Sequence, residues 1–218
     1  MKLLLTSGGI TNKSIAKALF ELVGKKPEET SLVFIPTASN VEKGDKSWLI
    51  GDLVNLKNQN FKSISIADIS AVPENIWRPQ IKEADVIFFE GGNTYHLMEW
   101  INKSGLAKLL PEFLKTKVYV GLSAGSMVVS PDLALKISQD LYEEDLDRTG
   151  DISGLNFVDF YVLPHFNSIY FSKLKEENIR ESAKGIKNKI YVLGDQSALK
   201  VDNGKVEIIS EGKYLIIN

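Results

Sequence analysis

The chain holds one serine in a setting where a side-chain hydroxyl becomes a nucleophile. Ser123 lies in Gly121-Leu122-Ser123-Ala124-Gly125, directly after the apolar run Lys117 to Gly121. A Gly-x-Ser-x-Gly segment between a strand and a helix forms a sharp turn that exposes the hydroxyl. Small residues on either side are needed because bulk there would strike the strand or the helix start. The N–H of Ala124 then points toward an oxygen bound beside Ser123, and the start of a following helix favours negative charge at the same spot. That combination suits acyl transfer through a tetrahedral oxyanion.

A second glycine turn, Gly91-Gly92-Asn93, follows the apolar run that ends at Glu90. Neighbouring parallel strands present their C-terminal ends on one edge, so this backbone is placed to supply a second N–H donor. It also reads as a plain helix start, with Asn93 as the cap. A serine hydroxyl needs a base at neutral pH. The chain has two histidines. His165, in Tyr161-Val162-Leu163-Pro164-His165, follows a short apolar strand and is the expected base. His96 follows the glycine turn and reads as a helix residue. Asp195, at the end of Val192-Leu193-Gly194-Asp195, is the first choice for the carboxylate that orients the base, and Glu90 is the alternative.

Those residues need a sheet to carry them. Lys2–Thr6, Leu32–Pro36, Asp85–Glu90, Lys117–Gly121 and Ile190–Gly194 read as strands covered on both faces, because they are short continuous apolar runs bounded by turn residues. Phe61–Ile69 alternates and reads as nearer an edge. Helical spacing marks Ser14–Val23, Thr94–Ile101, Gly105–Leu114 and Leu174–Ile186, the last with Leu174, Ile179, Ala183 and Ile186 inward. The β-α-β order predicts an α/β fold in three layers: a mostly parallel sheet with helices on both faces. From Ser197 to Asn218 the pattern changes to a terminal antiparallel meander with turns at Asp202-Asn203-Gly204 and Glu211-Gly212. The acidic stretch Asp140–Gly154 reads as a mobile loop, either a solvated surface loop or an active-site flap.

At 218 residues, 44% hydrophobic and 25% charged, the chain fits one α/β domain over 1–218 with a packed core. A formal charge of -2 provides no basic field for a polyanion, so nucleic acid is not expected as a partner. The absence of cysteine removes thiolate nucleophiles, thiolate metal sites and disulfides. No apolar stretch approaches the length of a membrane span, so no membrane association is expected and the default location is cytoplasmic. A homodimer is left open.

The set Gly91-Gly92-Asn93-Thr94, then Gly-x-Ser-Ala-Gly at 121–125, then Pro164-His165 resembles the peptidase E family of α-aspartyl dipeptidases and their relatives, which include cyanophycinases. The resemblance spans most of the chain. It implies a fold similar to class I glutamine amidotransferase domains, with serine in place of cysteine at the elbow, and a serine peptidase with no cofactor and no metal. By that likeness Ser123 is the nucleophile, His165 the base, and Gly92 and Ala124 the oxyanion donors. Asp195 falls where members carry a glutamate: the segment usually reads Glu-Gly-Ser, and here it reads Asp195-Gln196-Ser197. Asn93 and Lys175 are the expected substrate contacts. Lys175 lies near the position of an arginine that holds a substrate carboxylate in aspartyl dipeptidases. The Gly-Glu-Thr-Arg-like run around that arginine is absent here, so strict aspartyl-dipeptide specificity is not expected.

Two other readings compete with a small-peptide or amide hydrolase. A carboxylesterase of α/β-hydrolase type shares the elbow but runs serine, acid, histidine, with Asp147 or Asp159 as the acid. A non-catalytic binding module on an amidotransferase-like scaffold is the third, since fold does not fix function.

Overall fold

The computed structural model describes residues 1–150 and 152–218. In chain order the strands and helices are β1 (Lys2–Thr6), α1 (Lys13–Val23), β2 (Ser31–Ile35), α2 (Thr37–Asn40), α3 (Ser47–Lys57), β3 (Ser63–Ile66), α4 (Glu74–Glu83), β4 (Val86–Phe89), α5 (Thr94–Lys103) and α6 (Leu106–Phe113). They continue as β5 (Val118–Leu122), α7 (Ala124–Met127), α8 (Leu135–Ile137), β6 (Tyr161–Leu163), α9 (Glu176–Ser182), β7 (Ile190–Leu193), β8 (Ser197–Asp202), β9 (Lys205–Ser210) and β10 (Tyr214–Ile217).

Seven strands form the main sheet in the order β3-β2-β4-β5-β1-β8-β9. The first five are parallel, and β8 and β9 are antiparallel additions beside β1. Alternate residues of the parallel strands bury on opposite faces. Leu3, Leu5, Val33, Ile87, Phe89 and Tyr119 pack under α4, α5 and α6 through Trp77, Ile81, Leu97, Ile101 and Leu110. Leu4, Leu32, Phe34, Phe88 and Val120 pack under α1 and α3 through Ile15, Leu19, Leu22 and Leu56. Because both faces are covered, the strands have no polar side, and this is why they read as continuous apolar runs. The expected three-layer α/β architecture is present.

One sequence expectation needs correction, and two gain detail. The strand expected at Ile190–Gly194 is not part of the main sheet. It is β7, the centre of a separate three-stranded sheet, β10-β7-β6, with its own core of Tyr161, Leu163, Ile179, Ala183, Ile190, Val192 and Ile217. His165 therefore does not follow a strand of the serine's own sheet. The terminal meander is also divided. β8 and β9 form a hairpin at the edge of the main sheet, whereas β10 crosses to pair antiparallel with β7. The helix after the elbow is the single turn α7, too short to carry much dipole.

Two helices left no clear signal. α3 buries only Leu56, and Trp48, Ile50 and Val54 are exposed, so it shows no apolar stripe. α4 carries Pro79 in its interior. The helix expected over Leu174–Ile186 is confined to α9, with Leu174 buried just ahead of it. Within Asp140–Gly154, the residues up to Tyr142 close a wide helical turn that begins at Ser138, and Ser153 bridges to Asp132. Asp151, in that same stretch, lies outside the described residues.

Candidate active site

Three parallel neighbours end in register. Phe89 of β4 pairs with Gly121 of β5, and Thr6 of β1 pairs with Leu122. The next residues of each strand, Glu90-Gly91-Gly92, Ser123 and Ser7-Gly8, are thereby set side by side on one edge. In the small sheet β6 and β7 are parallel, with Leu163 opposite Val192. His165 and Asp195 each sit two residues beyond the end of their strand and share a second edge.

Ser123 takes φ 48° and ψ -109°, a conformation unusual for any residue with a Cβ. Its neighbours over-determine it. A Cβ on Gly121 would come within 2.4 Å of the Gly125 carbonyl oxygen, and one on Gly125 within 2.3 Å of the Phe89 carbonyl oxygen. The buried Ser126 hydroxyl donates toward the carbonyls of Thr6 and Gly121, both at 2.8 Å, and the Tyr119 hydroxyl donates to the Gly125 carbonyl at 2.6 Å. The Ser123 N–H donates to Thr6 at 3.1 Å. The result is a half-buried serine whose side chain is free to meet a partner.

That partner is His165. Its Nε2 lies 2.9 Å from Ser123 Oγ, and its Nδ1 lies 2.7 Å from Asp195 Oδ1. Nδ1 therefore donates to the carboxylate and Nε2 accepts from the serine. Burial pushes the Asp195 carboxyl up, but the His165 hydrogen bond and charge, with the Ser7 hydroxyl, prevail and hold it below the usual carboxylate range. The imidazole stacks on the Phe171 ring, with centroids 4.6 Å apart and planes at 14°. Tyr142 packs edge-on against Phe171 and donates its hydroxyl to the Pro164 carbonyl at 3.0 Å.

Ser7 was not singled out from sequence. Its fully buried hydroxyl accepts the His165 backbone N–H at 2.7 Å and donates to Asp195 Oδ1 at 2.8 Å. It thus ties the turn carrying the base to the carboxylate that orients the base. The signal was present as a polar residue before two glycines at a strand end, the same pattern as Glu90-Gly91-Gly92.

The remaining expected residues divide. The Ala124 N–H directly follows Ser123, and a Cβ on Gly91 would lie 3.2 Å from the Ser123 Cβ, whereas Gly92 packs on α2, where a Cβ would come within 2.4 Å of the Ala38 carbonyl oxygen. Asn93 Oδ1 accepts the His96 N–H at 2.7 Å and caps α5. Lys175 sits at the N-terminus of α9, and no described contact joins it to Ser123, His165 or Asp195. His96 is on α5 beside Trp100 and is not brought to the serine. Glu90 does not reach His165; it is wholly buried and faces Asp52 of α3. Asp159 borders the β6–β7 end of the molecule with Asn188 and Lys189. Since Asp195 holds His165, the serine–acid–histidine order of an esterase has no support here. No group of three or more metal-ligating side chains occurs among the described residues. No described helix is long and apolar enough to cross a membrane.

The sequence and the fold are similar to those of known proteins. The profile of Peptidase family S51 matches residues 3–209. An "uncharacterized peptidase PM1590" of Pasteurella multocida is 31% identical over 156 residues, which is 70% of this chain and 72% of that protein. Peptidase E of Shewanella oneidensis is 35% identical over 137 residues, 62% of this chain and 53% of that protein. Among solved structures, a candidate peptidase E protein from Listeria monocytogenes EGD-e superposes with a TM-score of 0.79 at 25% identity, covering 97% of this chain and 98% of that one. The profile match runs over nearly the whole chain and includes both glycine turns, the elbow and the Pro-His segment, so the chain belongs to peptidase family S51, a family of serine peptidases.

Proposed function

We propose that the chain hydrolyses small peptides or amides through an acyl-enzyme on Ser123, with His165 as general base and Asp195 as its orienting carboxylate. The observation that carries this is the unbroken relay from Ser123 Oγ to His165 Nε2 at 2.9 Å and from His165 Nδ1 to Asp195 at 2.7 Å.

The Ser123 oxygen attacks the substrate carbonyl while its proton passes to His165 Nε2. The new oxyanion is held by the N–H groups of Gly92 and Ala124; loss of one such donor costs about 3 kcal/mol of transition-state stabilisation. The intermediate collapses, the C–N bond breaks, and His165 returns its proton to the leaving amine. A water molecule then gives a proton to His165 and attacks the ester. A second oxyanion forms and breaks, and the acid product leaves with Ser123 reprotonated. Asp195 holds the imidazole in the reactive tautomer and stabilises its cation without taking the proton. The setting proposed is the cytoplasm. Asn93 and Lys175 remain proposed substrate contacts; the Asn93 side chain has its amide nitrogen left to offer.

The test is reaction with a fluorophosphonate probe beside a dipeptide library assay. Labelling at Ser123, with turnover abolished in Ser123→Ala and its fold retained, is the expected result. Full turnover by that variant on a confirmed substrate would sink the assignment.

A further inference from the structure

Both ring nitrogens of His165 are occupied, Nδ1 by Asp195 and Nε2 by Ser123. Only the faces of the imidazole are left to tune it. Phe171 covers one of them, with ring centroids 4.6 Å apart and planes 14° from parallel. Phe171 has no part in the mechanism above. The loop from His165 to Leu174 is tied so as to bring its ring to this place. The His165 carbonyl accepts the Ser168 N–H at 3.0 Å, and the Leu174 carbonyl accepts the Asn167 N–H at 2.9 Å, so the two ends of the loop are joined. Its tip, Ile169 and Tyr170, is exposed, and its return limb is anchored by the fully buried Leu174. The Phe171 carbonyl accepts the Leu174 N–H at 3.0 Å, which fixes the backbone that carries the ring.

A second segment holds the ring from outside the loop. Tyr142 meets Phe171 with centroids 5.6 Å apart and planes at 71°, and its hydroxyl donates to the Pro164 carbonyl, next to His165. The residues that follow each of these aromatics are joined as well, because Lys173 pairs with Glu143 at 2.8 Å. Phe171 itself stays half-buried, so it is not a core residue in the way Leu174 is. Its electronic character explains the placement. An aromatic face is negative, and it attracts a cation set against it far more than a neutral ring. His165 is neutral before Ser123 attacks and becomes an imidazolium as it takes the serine proton. The attraction of the Phe171 face therefore grows along the reaction, and an interaction stronger in the transition state than in the ground state raises kcat.

We infer that Phe171 is a positioning residue for the proton transfer, acting through His165: its ring fixes the imidazole plane between Ser123 and Asp195 and stabilises the imidazolium. This rests on the reading of Ser123 as nucleophile and His165 as base. Asp195 steadies the cation in the plane of the ring, through Nδ1, and Phe171 steadies it from the face. Tyr142 keeps Phe171 in place.

The experiment measures the rate of fluorophosphonate labelling at Ser123, with kcat and KM on a dipeptide that the wild type turns over, in the wild type, Phe171→Tyr and Phe171→Leu. Leucine keeps an apolar side chain but has no π face. Phe171→Tyr is expected within about twofold of the wild type, and Phe171→Leu about 3- to 30-fold slower in labelling and in kcat, with KM little changed. A series of increasingly fluorinated phenylalanines at 171 keeps the ring and drains its face, so the rates should fall step by step along it. This series carries the test if Phe171→Leu fails to fold. A folded Phe171→Leu with wild-type rates, a fluorinated series with no decline, or a loss confined to KM overturns the proposal. Labelling of the wild type separates this idea from the one beneath it. A labelled wild type with unaffected variants removes the role of Phe171 alone, whereas no labelling and no turnover in the wild type remove the hydrolase reading as well.

Discussion

The Ser7 hydroxyl holds His165 and Asp195 to each other, accepting the His165 N–H at 2.7 Å and donating to the Asp195 carboxylate at 2.8 Å. Ser7 comes from the main sheet, and the other two come from the small one. The hydroxyl is thus a joint between sheets at the point where the base must face Ser123. His165 also sits at φ 67°, a conformation that needs such support. Replacing Ser7 by Ala leaves a buried N–H without an acceptor, which costs on the order of 1–3 kcal/mol. It also frees the imidazole to drift. Because a displacement of about 1 Å can cost roughly a hundredfold, kcat is expected to fall about 10- to 100-fold with KM little changed. Steady-state kinetics on any substrate of the wild type check this; a change confined to KM would contradict a positioning role.

The use of aspartate at 195 makes a second prediction. A Cβ on Gly8 would lie 3.0 Å from both the Asp195 Cβ and the Asp195 carbonyl oxygen, so the β1 turn packs directly on this residue. That close approach brings the backbone near enough for the shorter side chain to reach His165 at 2.7 Å. Asp195→Glu adds a methylene where the fit is already complete, and activity is expected to drop at least about tenfold. Asp195→Asn keeps the shape but favours the wrong tautomer of His165, and the expected loss is about a thousand- to ten-thousandfold. Gly8→Ala should mimic Asp195→Glu by displacing the same backbone. Activity in Asp195→Glu equal to the wild type would mean that Gly8 does not set the reach.

Much of this site was legible in the sequence because its chemistry is carried by local motifs. The elbow around Ser123 is a backbone requirement that only a few residue types meet, and His165 and Asp195 each follow an apolar strand. What sequence spacing does not carry is which sheet a strand joins. β6 and β7 look like any other buried strands, and only tertiary pairing puts them in a second layer of their own. The partners that act across elements were hidden for the same reason. Ser7 is separated from His165 by 158 positions, and Phe171 meets the imidazole through a loop with no regular period. Glu90 was visible beside its glycine turn, but nothing local announces that it is fully buried against Asp52 on a helix without an apolar stripe.

Gly125 makes the strain of the elbow testable apart from the relay. A Cβ there would stand 2.3 Å from the Phe89 carbonyl oxygen, a backbone atom of β4 that cannot swing aside. Gly125→Ala must therefore push the first turn of α7 away from β4, carrying the Ala124 N–H with it. Overpacking of this kind costs about 1–3 kcal/mol or more. Thermal denaturation should show a lower Tm, and fluorophosphonate labelling of Ser123 should slow by more than the loss of folded protein explains. Unchanged labelling would mean that the turn tolerates displacement without losing its geometry.

The Asp52–Glu90 pair gives stability a pH dependence of definite sign. Both carboxyls titrate higher in the folded chain than in the unfolded one, Asp52 at about 6 and Glu90 well above the usual carboxylate range, chiefly because they are buried. Between the unfolded values near 4 and these raised ones the native state binds more protons, so stability falls as pH rises through that window. Asp195 works in the opposite sense: its depressed value adds stability above the unfolded range, and that part is lost only as pH falls below it. Glu90→Gln removes the ionisation that burial penalises most and keeps the shape. Its Tm should match that of the wild type near pH 4 and exceed it increasingly toward pH 8, at roughly 2–4 °C for each kcal/mol relieved in a chain of this size. Scanning Tm against pH for both proteins checks this. A difference that stays flat across the range would mean that burial does not hold the Glu90 carboxyl above its unfolded value.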